Sequence, residues 1–323
     1  MKTLPEIQTI LSTEIEKINL EKNPHGLYEP IRYILSLGGK RIRPTLTLLA
    51  CNLFSDDIHP AVNAALGLEI FHNFTLLHDD IMDKADVRRG QPTVHKKWNE
   101  NTAILSGDAM QILAYQYMTN IPEWNLSKVL NAFSQMAVEI CEGQQFDMEF
   151  ESREDVSADE YLNMIRLKTA VLLGTALKIG AWIGGSNDKD AELLYDFGIN
   201  IGLAFQLKDD LLDVYGNEKT FGKKIGGDIS CNKKTYLLIQ AKNLAKGKDA
   251  EELAFYLKTT KASEEKIKAV TDLYNRLDVE KICEERMNFY YDKAVASLEK
   301  VSALAEKKQE LRNLAQKMMT RYE

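Results

Sequence analysis

Val129-Leu130-Asn131-Ala132-Phe133-Ser134-Gln135-Met136-Ala137-Val138-Glu139-Ile140 decides the fold class. Its apolar residues Val129, Leu130, Phe133, Met136, Ala137 and Ile140 recur every three or four positions, the spacing that lays one face of an α-helix on a core. Upstream, Leu105, Ala109, Ile112, Leu113 and Tyr117 keep the same rhythm. All seven prolines (Pro5, Pro24, Pro30, Pro44, Pro60, Pro92, Pro122) lie at or before position 122. Proline breaks helix interiors, so the long proline-free remainder favours stacked helices. Alternating β-branched runs bounded by turn dipeptides are missing. The expectation is an all-α protein of roughly a dozen helices, forming a single large helical domain over residues 1–323.

Breaks between helices are expected at 22–26, 84–92, 120–124, 184–189, 216–232 and 245–250, none of them a long Ser/Pro/Gly linker. The stretch 170–185 is apolar nearly all round, which suggests a buried central layer or a subunit interface.

Composition narrows the function. Lys+Arg 41 against Asp+Glu 48 gives a net charge of −7, which argues against a nonspecific grip on nucleic acid. Cys51, Cys141, Cys231 and Cys283 are far apart with no C-x-x-C pair, so they read as reduced thiols of a cytoplasmic protein. No run of eighteen apolar residues occurs, and no membrane span is expected.

One acidic pattern occurs twice, as Asp79-Asp80-Ile81-Met82-Asp83 and Asp209-Asp210-Leu211-Leu212-Asp213, each time inside an apolar helical stretch. Residues four apart lie one turn apart on the same side of a helix, so Asp79 points with Asp83, and Asp209 with Asp213. Two such helices facing each other would place up to six carboxylates around a cavity. That charge is tolerable only with a cation in the gap or with some carboxylates protonated. Oxygen ligands without His or Cys suit Mg²⁺, which keeps waters and shares its shell with a substrate phosphate. A magnesium–diphosphate site is expected.

Other polar groups fall near these motifs. His72 lies two turns before Asp79 and within about 20° of its direction. Gly38-Gly39-Lys40-Arg41-Ile42-Arg43-Pro44 joins two helices, with Lys40 and Arg43 as charge-assisted donors to an anion. Arg88-Arg89-Gly90 leaves the first acidic helix, and Gly216–Lys234 follows the second as a cationic flap carrying Lys223 and Lys233. Lys168-Thr169 puts an ammonium and a hydroxyl into an apolar helix, where a snorkelling lysine is the plainer reading. Gln206 lies one turn before Asp210 on the same side.

Taken together, the motifs resemble the trans-type polyprenyl (isoprenyl) diphosphate synthases. The resemblance runs from about residue 25 to 240, in the family's order: GGKRIRP, FHNFTLLHDDIMD, RRGQPTVH, SGDA, LKTA, FQLKDDLLD and GKKIGGDISCNKKT. It implies an isoprenoid-synthase-like helical bundle around a central cavity, commonly a homodimer. By the same resemblance, Lys40, Arg43, His72 and Arg89 match residues that hold isopentenyl diphosphate. Asp79, Asp80 and Asp83 match the first aspartate-rich motif, which binds Mg²⁺ for the allylic diphosphate, with Arg88 on that diphosphate. Asp209, Asp210 and Asp213 match the second motif. Lys168, Thr169, Gln206, Lys223 and Lys233 match the polar ring around the allylic leaving group. Departures from the family pattern at Lys208, Lys224 and Gly227 remove no ligand.

The implied activity is head-to-tail condensation of isopentenyl diphosphate with an allylic diphosphate. The resemblance also implies that bulky residues just before the first motif stop the growing tail. Phe74 is the fifth residue upstream of Asp79 and the small Thr75 the fourth, with no insertion in the motif, as in geranylgeranyl synthases. On an ideal helix Thr75 lies about 40° from Asp79, Phe74 about 140° and Phe71 about 80°, roughly 12 Å deeper. Either ring could form the floor. The C20 product is favoured, with C15 farnesyl or a longer polyprenyl diphosphate as alternatives. A terpene cyclase fits less well, because the second aspartate motif and Lys40–Arg43 speak against it. A silent partner subunit would be expected to have lost one motif.

Overall fold

The computed structural model describes residues 2–217, 225–259 and 263–320. Among these residues the chain forms sixteen α-helices, one 3₁₀ turn, one π-helical turn and a single two-stranded hairpin. The all-α expectation is met, and the fold is that of an isoprenoid synthase. The chain divides into two compact units, Met1–Ser134 with Thr175–Tyr195 and Val301–Leu311, and Gln135–Gly174 with Asp196–Lys300 and Arg312–Glu323.

The first unit holds α1 (Leu4–Glu16), α2 (His25–Ser36), α3 (Ile42–Phe54), α4 (Val62–Met82), α5 (Val94–Lys97) and α6 (Glu100–Thr119). Local chemistry starts α1: Glu6 accepts from the Thr3 backbone N–H at 2.7 Å, a reciprocal cap at the helix N-terminus. Its buried side chains Leu4, Ile7, Leu11 and Ile15 form the expected stripe. The longer α4 is buried along most of its length and packs chiefly on α6, whose facing residues Ala103, Ser106, Gly107, Met110, Ala114 and Met118 are mostly small. His78 sits over Gly107, its ring nitrogen 3.1 Å from the carbonyl oxygen of Ile104, so it serves this helix contact. The β-hairpin pairs Val87 with Pro92 and Arg88 with Gln91. Its two turn residues, Arg89 (φ 53°) and Gly90 (φ 75°), are both left-handed, as a tight hairpin turn requires.

The chain continues through α7 (Glu123–Ser152), α8 (Ala158–Ile165), the π turn Arg166–Ala170, α9 (Val171–Ile183) and α10 (Asp188–Tyr215). Beyond these lie α11 (Gly227–Ser230), α12 (Tyr236–Leu244), α13 (Lys248–Lys258), α14 (Glu264–Arg276), α15 (Val279–Lys300) and α16 (Ala305–Met319). The second unit's core joins Tyr161, Ile165, Leu207, Leu211, Tyr236, Leu237, Val270, Leu273 and Cys283. Most of the expected breaks separate helices. The stops at 153–157 and 301–304 went unread because neither carries proline or a glycine pair. Among the described residues, no helix is long and apolar enough to cross a membrane.

Candidate active site

In the first unit, the polar groups read from the sequence lie on α3, α4 and the hairpin. The chain reverses between α2 and α3 through Gly38 (φ 72°), Gly39 (φ 133°) and Arg41 (φ 47°), leaving Lys40 exposed and Arg43 in the first turn of α3. Arg89 donates to the Gly38 carbonyl, and a Cβ on Gly39 would stand 2.7 Å from the Arg89 guanidinium. Glycine at 39 therefore lets this arginine lie flat on the loop. Burial pulls Arg43 down to about 10, with the carboxylate of Glu69 opposing and the charge of Arg89 assisting. His72 is held well below the usual imidazole range, first by burial and then by Arg43, Arg89 and Arg88. The charges of three guanidiniums thus converge on this ring.

The first aspartate motif closes α4. Asp80 is 3% exposed and gripped by Arg88, whose Nε donates to Oδ2 at 2.7 Å while Nη2 lies 2.7 Å from Oδ1. The same Nη2 is 3.8 Å from Asp79 Oδ2. Asp83 is the C-cap of α4, and its N–H donates to the Asp79 carbonyl at 2.9 Å. Asp79 keeps 22% of its side chain accessible and Asp83 is exposed, so these two carboxylates can reach a bound cation. Among the described residues no three acidic, His or Cys side chains form an all-protein cage. The oxygen donors of Asp79 and Asp83 fit a hard divalent cation. Upstream, Phe71 and Phe74 are buried edge-to-face at 5.4 Å, and Phe71 meets Phe133 at 5.2 Å. The Thr75 hydroxyl donates to the His72 carbonyl at 2.8 Å.

In the second unit, the three aspartates on α10 meet different fates. Asp210 turns inward, where the Tyr161 hydroxyl donates to it at 2.5 Å. Burial and the nearby charge of Asp228 push Asp210 up to about 7, against the pull of the tyrosine bond. Asp213 accepts the Asp228 backbone N–H at 2.9 Å, so it caps the short helix α11. Asp209 lies partly exposed. The stretch Arg166–Ala170 is a π turn, not regular helix, and such turns concentrate at functional positions. In it, Lys168 Nζ bonds Asp147 Oδ2 at 2.7 Å and the Thr169 hydroxyl reaches Gln206 Oε1 at 3.5 Å. Burial opposes the charge of Lys233, but Asp228, Asp147 and Asp210 together hold it above the ordinary lysine range. Lys234 donates to the Glu151 carbonyl at 2.9 Å. Lys223, with Lys219 and Lys224, lies outside the described residues.

The polyprenyl synthetase family model matches residues 24–274 of this ordered set. The chain belongs to the polyprenyl synthetase family. It is a prenyltransferase. A geranylgeranyl pyrophosphate synthase of Geoglobus acetivorans is 41% identical over 252 residues, covering 75% of this chain and 79% of its own. A geranylfarnesyl diphosphate synthase of Natronomonas pharaonis is 40% identical over 256 residues, 74% of each chain. A crystal structure of a geranylgeranyl pyrophosphate synthase superposes with a TM-score of 0.95 at 45% identity, covering 99% of both chains.

Four polar residues of this polyprenyl synthetase went unread in the sequence. Glu69 is 5% exposed behind Arg43 and Arg89, and Asn73 donates to its carboxylate at 3.1 Å. The spacing Glu69–Asn73, one turn apart on a helix also carrying His72, was the available signal. Asp147 follows Gly143 at the same spacing on α7. Tyr161 offered none, because its partner is 49 positions away.

Proposed function

We propose that this prenyltransferase condenses isopentenyl diphosphate with the allylic diphosphates of dimethylallyl, geranyl and farnesyl groups, head to tail and in trans, to give geranylgeranyl diphosphate. The observation that carries the reading is the interleaving of charge at the end of α4. Asp79 and Asp80 lie against Arg88, while the charges of Arg43 and Arg89 act on His72 of the same helix. Carboxylates for a hard cation beside guanidiniums for an anion suit a metal-bound diphosphate.

Lys40, Arg43, His72 and Arg89 hold isopentenyl diphosphate in this reading, and Asp79, Asp80 and Asp83 with Arg88 serve the allylic diphosphate. Asp209, Asp210 and Asp213, with Lys168, Thr169, Gln206 and Lys233, serve the leaving group, as does Lys223. Each aspartate motif could hold Mg²⁺, which would neutralise charge on diphosphate oxygens. When the allylic C–O bond breaks, its electron pair leaves with pyrophosphate, and an ammonium such as that of Lys168 stabilises the charge. The allylic cation then alkylates the isopentenyl double bond, and the released pyrophosphate takes up the proton whose loss forms the new double bond. Binding both substrates side by side supplies the orientation. No side chain is needed as a nucleophile.

Phe71 or Phe74 is the floor for the growing tail, with small Thr75 leaving room for C20. The relative named geranylfarnesyl diphosphate synthase favours a longer product as the second reading. The family match spans segments of both compact units, which supports their working as one polyprenyl synthase domain. A cytoplasmic homodimer completes the proposal. Its support is on α6, where Leu105 and Ile112, two turns apart, are 60% and 61% exposed.

The test is direct. The purified chain is incubated with Mg²⁺, isopentenyl diphosphate and each allylic starter, and the dephosphorylated products are weighed. A C20 alcohol is expected. A C15 or C25 alcohol overturns the product assignment, and no prenyl product overturns the enzyme.

A further inference from the structure

We infer that Asp147 is a positioning residue for the transfer, holding Lys168 in place for the allylic leaving group. The inference rests on the prenyltransferase reading above and adds a residue to it.

Lysine is a flexible point charge on a four-carbon stem, so an isolated ammonium samples many positions. Here Nζ of Lys168 is held 2.7 Å from Asp147 Oδ2, with 25% and 22% of the two side chains accessible. A charged pair partly shielded from water is both stronger and better fixed than one on an open surface. The backbone on each side is equally constrained. A Cβ on Gly143 of α7 would stand 2.3 Å from the Lys168 backbone nitrogen, and one on Gly202 of α10 would stand 2.7 Å from the Ala170 Cα. Two glycines therefore let α7 and α10 touch the π turn directly. Asp147 lies one helical turn beyond Gly143 on the same face, which aims its carboxylate at the turn. The Thr169 hydroxyl is tied to Gln206 of α10. Lys168 and Thr169 of the π turn thus each meet a neighbouring helix, α7 and α10, while Arg166 bonds Asn163 of α8. The field of Asp147 also reaches Lys233, so one carboxylate acts on two cations of the second unit.

A plain structural staple would make the same ion pair, and kinetics separates the two roles. Asp147→Asn, Lys168→Met, the double variant and Asp147→Glu are made in the full chain. Each is assayed with Mg²⁺, isopentenyl diphosphate and farnesyl diphosphate, alongside thermal melting. Asp147→Asn is expected to lower kcat about 10- to 100-fold, with KM for isopentenyl diphosphate changed less than about threefold. The double variant is expected to lose no more than Lys168→Met alone, because the carboxylate acts through that ammonium. Asp147→Glu, which keeps the charge, is expected to recover most of kcat, and it also serves should the asparagine variant fold poorly. An Asp147→Asn kcat within about threefold of wild type overturns the inference. So do losses that multiply in the double variant, or a kcat loss that Glu fails to relieve. If the wild-type chain itself makes no prenyl product, the prenyltransferase reading falls, and the inference with it.

Discussion

Arg88 and Asp80 form a forked pair, with Nε on Oδ2 and Nη2 beside Oδ1, both at 2.7 Å, and the carboxylate 3% exposed. The spacing that puts Asp79 and Asp83 on one side of the helix leaves Asp80 to a different partner. Asp80 is committed to an arginine, and Asp79 and Asp83 keep access to solvent.

Removing the arginine leaves a buried negative charge without its partner. Arg88→Ala is expected to cost about 2–3 kcal/mol, discounted from the fully buried case because Arg88 is 24% exposed. Scanning calorimetry should show Tm lower by about 3–4 °C. A melting point within a degree of wild type would contradict the pairing.

Asp79 carries the cation prediction. Asp79→Ala is expected to abolish Mg²⁺-dependent turnover while leaving the melting curve close to wild type, since the side chain is partly accessible. Near-wild-type rates at saturating Mg²⁺ would refute the metal assignment.

His72 sets a pH prediction. Burial and three arginine charges hold its folded pKa well below 6.5. Between the two pKa values the unfolded chain binds the extra proton, so stability is present above about pH 6.5 and is lost as pH falls below it. The loss from this group is at most about 1.4 kcal/mol per pH unit. Urea denaturation from pH 7.5 to 5 should show this component, and His72→Gln should flatten it. An NMR titration placing the ring at 6.5 or above would refute it.

Product length tests the aromatic floor. Phe71→Ala or Phe74→Ala is expected to shift the product beyond C20. Phe71, 1% exposed and edge-on to Phe74 and Phe133, should also lose about 3–5 kcal/mol of stability. Unchanged product length in both single variants and the double variant would dismiss the floor.

The homodimer rests on the exposed stripe of α6. Leu105→Glu with Ile112→Glu is expected to shift the sedimentation coefficient from dimer to monomer with helicity retained. A wild-type chain sedimenting as a monomer would remove the proposal.

Much of the fold was legible because its signal is local. The three-to-four spacing at Val129, Phe133 and Ile140 and the early prolines identify helices without any tertiary information. The hairpin at Val87–Pro92 escaped, since two-residue strands are too short for alternation to register. The π turn at Arg166–Ala170 escaped as well, because Leu167, Ala170 and Val171 satisfy an α-helical pattern equally well.

The sequence by itself determined the helical class, the two aspartate triplets and their one-turn spacing, because those depend on residues a few positions apart. Only the tertiary structure decided what each aspartate does: Asp80 against Arg88, Asp210 against Tyr161, Asp213 capping α11. Asp147 meeting Lys168 across 21 positions was decided in the same way. The physical reason is that helix packing, through close approaches such as Gly143 on the π turn, brings distant side chains together, and sequence periodicity records only which face a residue shares.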